Sequence, residues 1–252
     1  MSDLRIAVVQ PVIEDGEVAC NLAHYAELLT RLETPTDLIL LPEMFPTGYQ
    51  VCEHVCEAEP GVVLAWMRDM AQRYDALLCG TVAIHSVGRY YNRFYAVAPD
   101  ASVYYYDKRH LFPLAGEEQL FTAGERRVIV AFRGWRIALQ ICFDLRFPES
   151  ARNYSDYDLL LYAAAWPTVR DDVWQHLLVA RAIENQTYLA ASNRVGKDGD
   201  GFDYVGHSQI LDYKGKSLAV LEGTEGLLTA TLQTAPQQEY RKRFPVLPQK
   251  ED

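Results

Sequence analysis

Short β-prone runs alternate with segments of helical period along most of this chain, which confines it to an α/β architecture. Strands are expected at 5–10, 38–41, 76–84, 93–98, 103–106, 128–132, 136–141, 159–164, 188–192, 208–211, 218–221 and 227–232. Helices are expected at 20–32, 61–74 and 171–184. In the first, Leu22, Tyr25, Leu29 and Leu32 recur at helical spacing. Val63, Trp66, Met67, Met70 and Tyr74 do so in the second, and Trp174, Leu177, Leu178 and Ala182 in the third. Asp171 and Asp172 suit the N-terminal end of that third helix. Gly88, Pro99-Asp100, Gly134 and Gly215 punctuate hairpins, so the sheet is expected to be mixed. No long linker, low-complexity tract or solenoid repeat interrupts the chain, and 1–252 reads as a single domain.

Three of the apolar runs end on reactive side chains. The run Trp135–Ile141 ends at Cys142 and opens the turn Cys142-Phe143-Asp144-Leu145-Arg146-Phe147-Pro148-Glu149. Pro148 suits an early helical position, where a missing N–H costs little. A thiol at such a strand-to-helix turn stands near unpaired N–H groups, where a nucleophile is useful. The plainer reading is a buried cysteine that packs as a small hydrophobe. Leu38–Leu41 ends on Pro42-Glu43, with apolar neighbours that would raise the Glu43 pKa by desolvation. Ligands collect at the carboxyl ends of such strands. The run 103–106 ends at Asp107-Lys108. Taken singly, Glu43 and Lys108 would be solvated loop charges. Taken together, the three ends place a Glu, a Lys and a Cys at one rim.

These segments resemble the nitrilase (carbon–nitrogen hydrolase) superfamily. Glu43 in LPEMFPTGY, Lys108 in YDKRHLF and Cys142 in ICFDLRFPE resemble its Glu-Lys-Cys triad in order and spacing. The stretch Ala180-Arg181-Ala182-Ile183-Glu184-Asn185-Gln186 is similar to the helix after that family's active-site loop. The resemblance runs from Ile6 to about Phe244. The wording DKRHLF and CFDLRFPE is most similar to the omega-amidase branch, hydrolases of 2-oxoglutaramate and 2-oxosuccinamate. The resemblance implies a four-layer α-β-β-α sandwich and a homodimer formed through the helical face near the active site. It also implies a second active-site glutamate, which Glu117 or its neighbour Glu118 would supply.

The implied chemistry is amide hydrolysis, which needs a nucleophile, a proton carrier and support for an oxyanion. Cys142 would attack, Glu43 would carry the proton, and Lys108 with the Phe143 backbone N–H would stabilise the tetrahedral intermediate. No metal or organic cofactor is required. An omega-amidase must also hold a carboxylate far from the amide, a task suited to a guanidinium. Arg146 is a candidate, although pairing with Glu149 or another carboxylate is the favoured reading; Arg109 and Arg170 are others. Tyr49, Phe112, Trp166 and Trp174 are candidate pocket walls. In Asp171-Asp172-Val173-Trp174-Gln175, Val173 and Gln175 replace the His and Glu common in relatives, which would alter specificity if those groups touch substrate.

Other classes fit poorly. With 24 Lys and Arg against 34 Asp and Glu the formal charge is −10, which disfavours a nucleic-acid face. No apolar stretch approaches the ~18 residues of a membrane span, and no secretory signal opens the chain. Five cysteines without framework spacing suit a reduced cytoplasm. Cys52-Glu53-His54-Val55-Cys56 lacks a second ligand pair for zinc, and Asp198, Asp200 and Asp203 lack the remaining ligands of a calcium loop. A Cys–His enzyme would need Cys142 beside His110 or His207. No GxSxG elbow, phosphate loop or dinucleotide fingerprint is present. A non-catalytic binding module on the same fold would give Cys142 no reason to label faster than the other four cysteines.

Overall fold

The computed structural model describes residues 3–248. The N-terminal part of the chain supplies β1 (Leu4–Gln10), β2 (Leu38–Leu40), the two-residue β3 (Glu57–Ala58), β4 (Leu77–Ser86), β5 (Arg89–Val97) and β6 (Val103–Asp107). There follow β7 (Ile129–Phe132), β8 (Trp135–Ile141), β9 (Leu159–Ala163), β10 (Tyr188–Ser192), β11 (Val195–Lys197), β12 (Asp203–Leu211) and β13 (Ser217–Glu222). Then β14 (Gly226–Leu232) returns to pair along the whole of β1, Leu4 opposite Leu232 and Gln10 opposite Gly226. One sheet has the order β14-β1-β2-β4-β5-β6, with β3 beside β4. The other runs β11-β12-β10-β9-β8-β7, with β13 beside β12. Each has a parallel centre, β1-β2-β4 and β8-β9-β10, and antiparallel flanks.

The period-2 alternation of side chains sets the layers. Leu38 and Leu40 join a core shared with Ile137, Leu139 and Ile141 of the second sheet. Ile39 and Leu41 point the other way, into a core with Tyr25, Leu28 and Leu29 of α1 (Val18–Leu29) and Val63, Met67 and Met70 of α2 (Val62–Tyr74). After the single turn α3 (Glu117–Leu120), α4 (Asp171–Glu184) lies against β10 and β12 and buries Trp174, Leu178 and Ala182. The result is an α-β-β-α sandwich, the architecture expected from the resemblance.

The expected strands and the three long helices all form, with ends displaced by a few residues. The exception is β12, which starts five residues before the expected 208. Gly206 (φ +79°) and His207 (φ +49°) interrupt its alternation with a bulge, which hides the strand from a period-2 reading. The sequence reading missed β3, β11, α3 and α5 (Thr234–Arg243). The last has scarcely any apolar face. It is held by polar contacts instead: Gln237 donates to the Asp158 and Gln186 carbonyls, and Arg241 pairs with Asp158 at 3.0 Å.

The segment after β8 also departs from expectation. It forms two short 3₁₀ turns, Cys142–Arg146 and Pro148–Ala151, instead of leading into a longer helix. Pro148 does take the first position of the second turn, but it holds Phe147 extended (φ −113°, ψ 94°) and so separates the two. Asp144 anchors the first turn by accepting from Ile141 N–H (2.9 Å), Tyr106 Oη (2.7 Å) and His110 N–H (3.0 Å).

Candidate active site

Glu43, Lys108 and Cys142 follow β2, β6 and β8, and the packing of the two sheets brings those ends together. Glu43 and Lys108 are wholly buried, and Lys108 Nζ donates to Glu43 Oε1 at 2.8 Å. The same Nζ donates to Glu117 Oε1 at 2.8 Å. Glu117 is buried, and it also accepts from Tyr49 Oη (3.0 Å) and the Phe112 N–H (2.7 Å). Glu118 is exposed, so Glu117 is the glutamate at this cluster. Glu43 Oε2 accepts the Ala165 N–H from the end of β9 at 3.0 Å. The carbonyl of Ala165 lies 3.9 Å from Cys142 Sγ.

The backbone is strained on both sides of the cluster. Cys142 has φ +41° and Met44, next to Glu43, has φ +45°. Non-glycine residues adopt that region at a cost, and it is concentrated at functional sites. At Cys142 it turns the chain sharply off the strand and lets the thiol reach the cavity.

The charges are interdependent. Burial raises the Glu43 pKa above its ordinary value, Lys108 pulls it back and Glu117 adds to the rise. Burial works against the Lys108 ammonium, but Glu117 and Glu43 outweigh it and hold the pKa well above the ordinary lysine value. Burial, and then Glu43, push the Cys142 thiol well above the usual range, only partly offset by Lys108. Burial thus favours the protonated thiol, while the neighbouring carboxyl groups favour a charged Lys108.

Cys142 opens into a cavity of ≈ 390 Å³. Tyr49, Phe112, Phe143 and Trp166 form its aromatic walls, and Arg146 and Arg170 contribute the cations. Arg146 lies over the Trp166 ring (5.6 Å) and Arg170 over the Phe112 ring (5.3 Å). Among the described residues neither guanidinium has an ion pair, so the favoured pairing of Arg146 with Glu149 does not occur. Its side chain stacks on Trp166 and projects at the cavity instead. Arg109 does not line the cavity. Trp174 is also no wall: it is fully buried, stacks on Trp166 at 5.5 Å and donates to the His207 carbonyl. Val173 and Gln175 lie outside this cavity, Gln175 being bonded to Asp171 at 2.7 Å.

Asp198 and Asp200 reach the cavity rim, which a solvated loop did not suggest. Asp198 accepts from Phe202 N–H and Tyr204 Oη, both at 2.8 Å, and thereby shapes that rim. His110 pairs with Asp144 (2.8 Å) and His207 with Asp171 (2.7 Å), so neither serves Cys142. Cys52 Sγ lies 3.6 Å from His54 Nε2, but among the described residues no cluster of three His, Cys, Asp or Glu is arranged for a metal. Asn92 escaped the sequence reading, although its Nδ2 donates to Glu43 Oε1 at 2.7 Å. A signal existed: asparagine is disfavoured within strands, yet Asn92 stands among the aromatic residues of β5.

Comparison with known proteins is consistent across sequence and structure. The carbon–nitrogen hydrolase family model matches residues 5–242. The chain is 45% identical to an omega-amidase, YafV, of Yersinia enterocolitica, over 97% of this chain and 96% of that protein. It is 30% identical to a 2-oxoglutaramate amidase of Bacillus subtilis, over 96% and 95% of the two chains. A CN-hydrolase superfamily protein of Xanthomonas campestris, solved with an arsenic adduct in its active site, superposes with a TM-score of 0.96 at 38% identity, covering 100% of this chain and 98% of that one.

Proposed function

The chain belongs to the carbon–nitrogen hydrolase family and is an amide-hydrolysing enzyme; on that premise we propose that it releases ammonia from small ω-amides carrying a carboxylate, with 2-oxoglutaramate or 2-oxosuccinamate as substrate. One observation carries the reading. A thiol on a strained turn, beside a buried Glu-Lys pair, faces a cavity with two guanidiniums that lack a carboxylate. The omega-amidase and 2-oxoglutaramate amidase relatives support the same substrate class.

In this reading Cys142 attacks the amide carbonyl as Glu43 takes the thiol proton. Transfer is coupled to attack because the thiol is neutral at rest. Lys108 has three N–H donors and spends two on Glu43 and Glu117. The third is left for the developing oxyanion, joined by the Phe143 N–H. Glu43 passes its proton to the departing ammonia, leaving a thioester. It then draws a proton from water as the water attacks the thioester, and returns that proton to the departing Cys142 sulfur, which frees the acid and restores the site. Arg146 and Arg170 hold the distal carboxylate against the aromatic walls.

We read residues 1–252 as one domain, supported by an apolar core that draws on both sheets. A homodimer through the helical face is supported by half-exposed Ile183 on α4 and Leu218 and Val220 on β13. A reduced cytoplasmic setting agrees with five unpaired cysteines. No helix among the described residues is long and apolar enough to cross a membrane.

The deciding experiment is ammonia release from a panel of 2-oxoglutaramate, 2-oxosuccinamate, aliphatic amides, nitriles and N-carbamoyl amino acids. The 2-oxo acid amides should lead by roughly a hundredfold or more in kcat/KM over butyramide, the scale of losing a buried charged contact. Equal rates with butyramide, or preference for a nitrile or ureido acid, would contradict the substrate assignment.

A further inference from the structure

We infer that Asn92 is a positioning residue for Glu43, fixing both the rotation and the charge of the carboxylate that carries the proton. The inference rests on the reading of Glu43 as the general base. Asn92 lies on β5 opposite Ala83 of β4 and is 1% exposed. Its Nδ2 donates to Glu43 Oε1 at 2.7 Å, and its backbone carbonyl accepts the Lys108 N–H at 3.0 Å. One residue therefore contacts both members of the buried pair, the side chain of one and the backbone of the other.

Structural economy does not explain this asparagine. Its Oδ1 is buried and has no hydrogen-bond partner among the described residues. An unpaired buried carbonyl oxygen is a loss that an apolar residue would avoid. What the asparagine provides in exchange is a second donor on Oε1. With Lys108 and Asn92 both on Oε1, the carboxylate is held with Oε2 at the Ala165 end, on the side of Cys142. A neutral donor also favours the ionised carboxylate without adding a charge. The other charged or titratable groups facing Glu43 are Lys108, Glu117, Tyr49 and Cys142. Asn92 is thus the neutral side chain in a shell of ionisable ones.

The test compares wild type with Asn92→Leu, which removes the donor, and Asn92→Asp, which keeps the shape and adds a like charge. The full pH profile of kcat/KM is measured for each, with Glu43→Gln run alongside. Loss of a hydrogen bond to a charged group predicts a fall in kcat of roughly ten- to a hundredfold, with KM changed far less. The acid limb should move to higher pH in Asn92→Leu and further in Asn92→Asp. A purely structural role would lower the melting temperature and leave the limb in place. If Glu43→Gln is inactive but the acid limb stays put in either folded Asn92 variant, the positioning role is overturned and the base assignment stands. If Glu43→Gln keeps full activity, the base assignment itself fails and the inference with it.

Discussion

Ala165 serves Glu43 and Cys142 at once: its N–H binds Glu43 Oε2 at 3.0 Å, and its carbonyl lies 3.9 Å from the Cys142 sulfur. Glu43 comes from the first sheet and Ala165 from the second, so the spacing of Glu43 and Cys142 is set by the packing of the sheets. The active geometry is a property of the sandwich and not of any one loop.

Replacing Glu43 with Gln or Lys108 with Met should each cost roughly 10²–10⁴-fold in kcat, the range for a positioned proton carrier or oxyanion donor. Because the two share one hydrogen bond and, in the proposed mechanism, one intermediate, the losses should not multiply. The double variant should be barely worse than either single one in steady-state assays. Multiplicative losses would show independent action.

The acid limb of kcat/KM should lie above the ordinary glutamate pKa of about 4.3. Burial raises the Glu43 pKa and the proposed mechanism uses the ionised form, so activity should be lost as pH falls through that raised value. The thiol is pushed well above its ordinary value of about 8.5, so no thiol ionisation should appear near that pH. A rate–pH profile resting on an ordinary carboxylate and an ordinary thiol would contradict the charge state described here.

Arg146→Ala and Arg170→Ala should act selectively on substrate class. Each should lower kcat/KM for a carboxylate-bearing ω-amide by roughly ten- to a hundredfold, the value of a charged hydrogen bond, and leave a neutral amide nearly unaffected. Loss on both substrates alike would mean that the arginines only support the walls formed by Trp166 and Phe112.

The strands that carry Glu43, Lys108 and Cys142 were legible because each is an apolar run ending on a charge or thiol. What the sequence could not carry was contact across distant segments. Asn92 reaches Glu43 over 49 positions and Ala165 over 122, and neither pairing leaves a periodic trace. Glu149 lies near Arg146 in sequence, but in the fold the guanidinium finds the Trp166 face instead. α5 was missed because polar contacts, not an apolar stripe, hold it. Thiol labelling has to contend with access: Cys142 is buried at the cavity and burial holds its pKa up, while Cys20 is exposed. A plain alkylating reagent should modify Cys20 first.

The central claim is a thioester on Cys142, and intact-protein and peptide mass spectrometry of enzyme acid-quenched during turnover of 2-oxoglutaramate tests it most directly. The account predicts an acyl adduct on the peptide holding Cys142, lost in Cys142→Ala, which should be folded and inactive. Cys142→Ser should be nearly as poor, since a hydroxyl is far harder to deprotonate. An adduct on Cys20, Cys52, Cys56 or Cys79, or full activity in Cys142→Ala, would contradict it.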